Sequence, residues 1–133
     1  MEKIEELIDR LLDRCAATGA SIIRLDDGEV LYLRNRSRLP DDILELACRA
    51  AYEMFNGNLM KSMLESMMQY RGENNKTTYL ESIRFTFSNA FHWITLVKDR
   101  YIVVLIAPRM GISPGYTETL FRSFLPRLGA LLP

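Results

Sequence analysis

The run Ile102-Val103-Val104-Leu105-Ile106 constrains this chain more than any other feature. Read as a strand from Tyr101 to Ala107, it is apolar on both faces, the mark of a central strand covered on both sides. A sheet with such a centre needs helices above it and below it, which makes a three-layer sandwich the expected architecture.

A hairpin near the N-terminus makes the same demand. Asp27-Gly28 stands in the middle of the run from Ala20 to Leu33 and is a favoured dipeptide for a two-residue type I′ turn. With those two residues as the loop, Asp26 pairs with Glu29, Leu25 with Val30, Arg24 with Leu31, Ile23 with Tyr32 and Ile22 with Leu33. Ile23, Leu25, Val30 and Tyr32 then share one face, and Ile22, Leu31 and Leu33 the other, so both faces need cover.

Helices to supply that cover are present. Ile4, Leu7, Ile8, Leu11, Leu12 and Cys15 form a one-sided helical stripe that ends at Thr18 and Gly19. After a basic, irregular segment from Arg34 to Pro40, Pro40-Asp41-Asp42 starts a second helix with acids at the positive end of its dipole. Its first half is expected to bury Ile43, Leu44, Ala47, Ala50, Ala51, Met54 and Phe55, the alanines allowing close approach to the sheet. Its second half carries Met60, Met63, Leu64, Met67 and Met68, out of phase with the first by roughly 140° at ~100° per residue. Asn56-Gly57-Asn58 stands at the junction, so the helix either breaks there or presents two faces. If it is continuous, the methionines face a partner; if it breaks, they can turn back into the core. The thioether's adaptability favours the partner surface.

A polar turn over Arg71 to Lys76, with Gly72, Asn74 and Asn75, precedes three strands: Tyr79 to Phe87, Phe91 to Val97, and Tyr101 to Ala107. Pro108 to Gly115 reads as a loop. Leu120, Phe121, Phe124, Leu125 and Leu128 trace a closing helix that should kink or end near Pro126, which has no N–H to donate. No repeat, linker or low-complexity segment interrupts the 133 residues, which read as one domain.

Lysine plus arginine and aspartate plus glutamate each number 17. That balance removes the broad positive field that nucleic acid or an anionic membrane surface attracts. The acidic start lacks the features of a signal peptide, and no apolar run approaches the ~20 residues of a membrane span. Cys15 and Cys48 have no metal-ligand spacing and read as buried free thiols of a cytoplasmic protein.

No group of residues announces chemistry. His92, the sole histidine, has no nucleophile placed beside it by any motif and reads as a strand residue. Asp26, Asp27 and Glu29 are explained by the turn they flank. Arg34, Arg36 and Arg38 suit phosphate or an acidic partner, although such loops are more often solvated. Neither GxxxxGKS/T nor GxGxxG occurs, so nucleotide binding through either motif is not expected, nor is a cofactor, a metal or enzymatic activity.

The order helix, hairpin, helix, three strands, helix resembles the Roadblock family, the dynein-light-chain and bacterial MglB-type proteins. The resemblance is carried by Ala16-Ala17-Thr18-Gly19-Ala20, SIIRLDDGEVLYL, LELACRAAYEMF and DRYIVVLIAP. The methionine segment after Gly57, the loop PRMGISPG and the aromatic strand from Ile83 to Phe87 depart from a minimal member. The resemblance implies an α/β (α+β), profilin-like sandwich. Its five-stranded, mainly antiparallel sheet would carry the terminal helices on one face and the middle helix on the other. It further implies a homodimer joined through sheet edges and middle helices, and binding to a Ras-like small GTPase. The alternatives are an adaptor indifferent to nucleotide state and a profilin- or GAF-like small-molecule sensor. The expected dimer edge is Ile83, Arg84, Phe85, Thr86 and Phe87; the expected partner surface is Met60, Met63, Met67 and Met68 with Arg34, Arg36 and Arg38.

Overall fold

The computed structural model describes residues 2–72 and 79–133. Its elements run α1 (Ile4–Cys15), β1 (Gly19–Arg24), β2 (Val30–Asn35), α2 (Asp41–Asn56), α3 (Asn58–Tyr70), β3 (Ser82–Thr86), β4 (Ala90–Val97), β5 (Tyr101–Pro108) and α4 (Pro114–Leu131). The turn expected over Arg71 to Lys76 is seen only at Arg71 and Gly72; the rest lies outside the described residues.

The five strands form an antiparallel sheet in the order β2-β1-β5-β4-β3. β5 is the central strand, and every residue from Tyr101 to Ala107 is buried. Its alternate side chains enter two separate cores. Val103 and Leu105 join α1 and α4 through Leu7, Leu11, Phe121 and Leu128, while Ile102, Val104 and Ile106 meet Leu44, Cys48, Ala51 and Phe55 of α2. Both thiols are buried and unpaired. Burial pushes the Cys15 thiol up to about 11, with Arg14 acting in the opposite sense, so it stays protonated at neutral pH and is a packing residue.

The hairpin departs from its expected register. Ile22 pairs with Tyr32, Ser21 with Leu33 and Ala20 with Arg34, while Ile23 pairs with Val30, so a bulge at Leu31 shifts the ladder. A shift of one residue moves side chains to the opposite face. Tyr32 accordingly packs with Ile22 on the α1–α4 side, and Leu33 joins Ile23 under α2. The loop is longer than two residues: the Arg24 N–H donates to the Glu29 carbonyl, 2.9 Å, and the Gly28 N–H to the Arg24 carbonyl, 2.9 Å. A type I′ turn needs positive φ at both central residues, and only Gly28, at φ 74°, has it. Asp27 instead takes a forked pair from Arg24, at 3.1 and 2.8 Å, and accepts the Glu29 N–H at 3.1 Å. Those bonds, the Arg24 pair first, hold the Asp27 carboxyl down to about 2.

The closing helix also differs from expectation. It begins at Pro114, capped by the Ser113 hydroxyl accepting the Tyr116 N–H, and it runs through Pro126 to Leu131. Pro126 lies on the exposed side, where water can satisfy the carbonyl left without a donor, while Phe121, Phe124 and Leu128 hold the opposite side in the core.

Gly28 leaves little room for a side chain. A Cβ there would stand 2.8 Å from Tyr52 Cε1, on a backbone with positive φ. Gly28→Ala is expected to destabilise the fold by about 2 kcal/mol, combining left-handed strain with overpacking. A urea midpoint that falls at unchanged slope would show it; an unchanged midpoint would contradict the geometry.

Candidate functional site

The candidate surface grows from the way α2 covers its face of the sheet. Asn35 Nδ2 donates to Asp41 Oδ1 at 2.9 Å, and the Tyr52 hydroxyl and Asn56 Nδ2 donate to the Leu25 carbonyl at 2.9 and 3.1 Å. One flank of α2 is thereby tied along its length to the β1–β2 hairpin. Residues 43, 47, 50 and 54 lie roughly 180° around the helix from the tied residues 41, 52 and 56, so they face away from the hairpin. Of the expected core residues, Leu44, Ala51 and Phe55 are buried, together with Cys48. Ile43, Ala50 and Met54 are exposed, and Ala47 is half-buried. The exposed apolar stripe gains Leu46, 64% exposed. All these residues recur at helical spacing, but a single helix on a sheet buries only one stripe, and theirs is its neighbour.

β3 is at the sheet edge, as expected. The Phe87 N–H donates to the Ala90 carbonyl and the Leu96 N–H to the Glu81 carbonyl, both 2.8 Å. Odd-numbered residues of β3 therefore bond to β4, and Ser82, Arg84 and Thr86 direct their backbone groups to the open edge. Ile83 and Phe85 lie half-buried on the α2 side, with the Phe87 ring 6.1 Å from that of Phe85 and 4.6 Å from His92. His92 is opposite Phe85 on β3 and Ile106 on β5, and burial lowers its pKa below the ordinary value.

The methionine segment breaks, and the break does not return it to the core. Gly57 is extended at φ −72°, ψ 162°, and no α3 residue is fully buried. A Cβ on Gly57 would stand 2.5 Å from the Glu53 carbonyl oxygen, so the junction accommodates no side chain without moving. Met60 and Met68 are half-buried and line a groove of about 490 Å³ with Leu64, Phe55, Leu80 and Leu96. Met63 and Met67 face outward, 46% and 37% exposed. Four residues expected to share one surface are thus divided between two.

The arginines stand elsewhere. Arg34 Nε lies 3.3 Å from Asp9 Oδ1, and Arg36 pairs with Asp13 and Asp9 and donates to the Asp9 carbonyl at 3.1 Å. Both are thus committed to α1, on the opposite side of the sheet from the methionines; Arg38 is exposed and, among the described residues, makes no ion pair. No group of three His, Cys, Asp or Glu side chains positioned for a metal occurs among the described residues, and no helix among them is long and apolar enough to cross a membrane.

No family model and no curated protein matches the sequence. Solved structures do match the architecture. MglB of Myxococcus xanthus superimposes with TM-score 0.68 at 16% identity, over 96% of this chain and 93% of that one. An MglB with tetrameric arrangement gives 0.73 at 12% identity, over 96% and 86%. The Roadblock/LC7 domain from Streptomyces avermitilis gives 0.68 at 12%, over 96% and 95%. The chain has the Roadblock/LC7 fold. Exposed apolar side chains include Ile43, Leu46 and Met54 of α2 and Phe87 just beyond β3, whose ring stands against His92.

His92 makes part of that surface sensitive to acid. An unfolded chain protonates it near the ordinary 6.5, the folded chain only at lower pH. Stability is therefore expected to fall as pH drops below about 6.5 and to level off below the folded-state value. His92→Asn should flatten that part of the curve, as urea titrations of both proteins at about pH 7.5 and about pH 5 would show. Parallel losses in the two proteins would contradict the assignment.

Proposed function

We propose that this protein is a non-catalytic homodimeric interaction module that binds and regulates a Ras-like small GTPase. The observation that carries the dimer is the contrast between the sheet's two edges. β2 is interrupted by the bulge at Leu31 and bears Arg34 paired to Asp9, features that blunt an edge against pairing. β3 has an unbroken register, no proline, and Arg84 as its one charged residue. Its Ile83 and Phe85 lie on the face of the sheet that α2 covers. Pairing β3 with its two-fold mate extends the ladder through Ser82, Arg84 and Thr86 and brings two α2 flanks together in one isologous interface. The likeness to MglB, one solved form of which has a tetrameric arrangement, supports self-association.

The regulatory half of the reading rests on the Roadblock resemblance and on Met63 and Met67, whose outward thioethers offer an adaptable apolar contact. The GTPase supplies nucleotide, magnesium and the hydrolytic groups; this chain biases the conformation of its switch loops.

Arg84→Pro removes an outward-facing N–H and leaves the bonds to β4 in place. It is expected to weaken dimerisation at least about tenfold, read by sedimentation at tens of micromolar, roughly the range that detects a stable interface. A wild-type monomer under those conditions would overturn the dimer.

Met63→Glu with Met67→Glu is expected to keep unfolding free energy within about 0.5 kcal/mol, since both residues are exposed, and to weaken GTPase binding by about 2 kcal/mol. The candidate partner is a small GTPase encoded beside this gene, loaded with GTP or GDP. Equal affinity for both forms would favour the nucleotide-indifferent adaptor, and unchanged affinity in the double variant would remove the methionines from the contact.

A further inference from the structure

The groove beneath α3 is not used by the dimer edge or by the outward methionines. Its floor is Phe55, Leu80 and Leu96, its wall Met60, Leu64 and Met68, and its volume is about 490 Å³, within the range of small-molecule sites. The wall residues recur every four positions along α3, so a single helical stripe lines the space, and all three are only half-buried.

The polar groups at this groove have a definite chemistry. Asn56 Nδ2 is used twice, donating to the Leu25 carbonyl and to the Tyr52 hydroxyl, both at 3.1 Å, which fixes the amide and leaves its Oδ1 as an acceptor. Among the described residues that line the groove, Glu65 and Asp99 add two carboxylates against the ammonium of Lys61. Acceptors and net negative charge beside an apolar floor suit a ligand that is apolar along its length and cationic at one end.

We propose that this groove binds a hydrophobic amine, the apolar body lying against Met60, Leu64 and Met68 and the ammonium donating to the Asn56, Glu65 and Asp99 oxygens. Binding buries the inner stripe of α3 and fixes the helix against the sheet. The groove residues take no part in the proposed dimer edge or GTPase contact, although they share α3 with Met63 and Met67.

The test uses the full chain with methyl-labelled methionine, titrated with dodecylamine or dodecanoate below their micelle concentrations. Saturable shifts of the Met60 and Met68 methyl signals by dodecylamine, with Met63 and Met110 unmoved, are expected. Leu64→Trp, which fills the groove, should abolish them. Glu65→Lys, an exposed change, should weaken dodecylamine roughly fivefold and favour dodecanoate. Shifts spread equally over all the methionines would mean detergent-like adsorption, and dodecanoate binding as tightly as dodecylamine would reject the cationic assignment. Either result, or no saturable shift at Met60 and Met68, overturns the proposal.

Discussion

A strand that is apolar on both faces must be covered on both, and β5 imposes that condition on the whole molecule. Val103 and Leu105 on one side and Ile102 and Val104 on the other are all essentially inaccessible. At about 1.5–3 kcal/mol for each large apolar side chain removed from water, either face left open would cost several kcal/mol, comparable to the net stability of a domain. Neighbouring strands stand ~4.8 Å apart, so five of them span roughly 20 Å, while one helix with its side chains is ~10 Å across. α1 and α4 together match one face. On the other α2 stands alone, tied to the hairpin by Asn35, Tyr52 and Asn56, and the β4–β3 half is left to α3 or to another molecule.

The uncovered half shows why the α2 flank, the aromatic residues of β3 and the open backbone edge belong to one surface. Ile43, Leu46, Ala50 and Met54 would be unremarkable singly, since isolated exposed apolar residues are common. Ile83 and Phe85 lie on the same face of the sheet as α2, on a strand whose alternate backbone groups point to the open edge. In the proposed dimer a second copy would supply hydrogen bonds for the edge and apolar cover for the flank.

Much of this was legible in sequence because it depended on periodicity. The stripe from Ile4 to Cys15, the central run at Ile102 and the order of elements each specify local structure and the faces that must be buried. The hairpin register was not legible, because Asp27-Gly28 marks a turn without fixing its length: the Arg24–Asp27–Glu29 network stabilises a longer loop, and one bulged residue then exchanges the faces of Tyr32 and Leu33. The α2 face was misread for another reason. Helical spacing cannot distinguish two adjacent apolar stripes, and the hydrogen bonds from Asn35 and to Leu25 that set the helix's rotation join residues distant in sequence. Arg34 and Arg36 were read as free charges because their partners, Asp9 and Asp13, precede them by more than twenty positions.

Gly57 connects these features. With no room for a Cβ beside the Glu53 carbonyl, α2 and α3 are separate helices, and α3 is released from the phase that α2's hydrogen bonds impose. One stripe of α3, Met60, Leu64 and Met68, is then directed at the sheet, and the next, Met63 and Met67, at solvent. A continuous helix would hold the second half in the rotation fixed by Leu44 and Phe55 and could not be adjusted separately to a groove and to a partner. Because no residue of α3 is fully buried, its position depends little on the core and strongly on whatever fills the groove or covers the outer methionines. Occupancy of one stripe therefore bears on presentation of the other, because both belong to one helix.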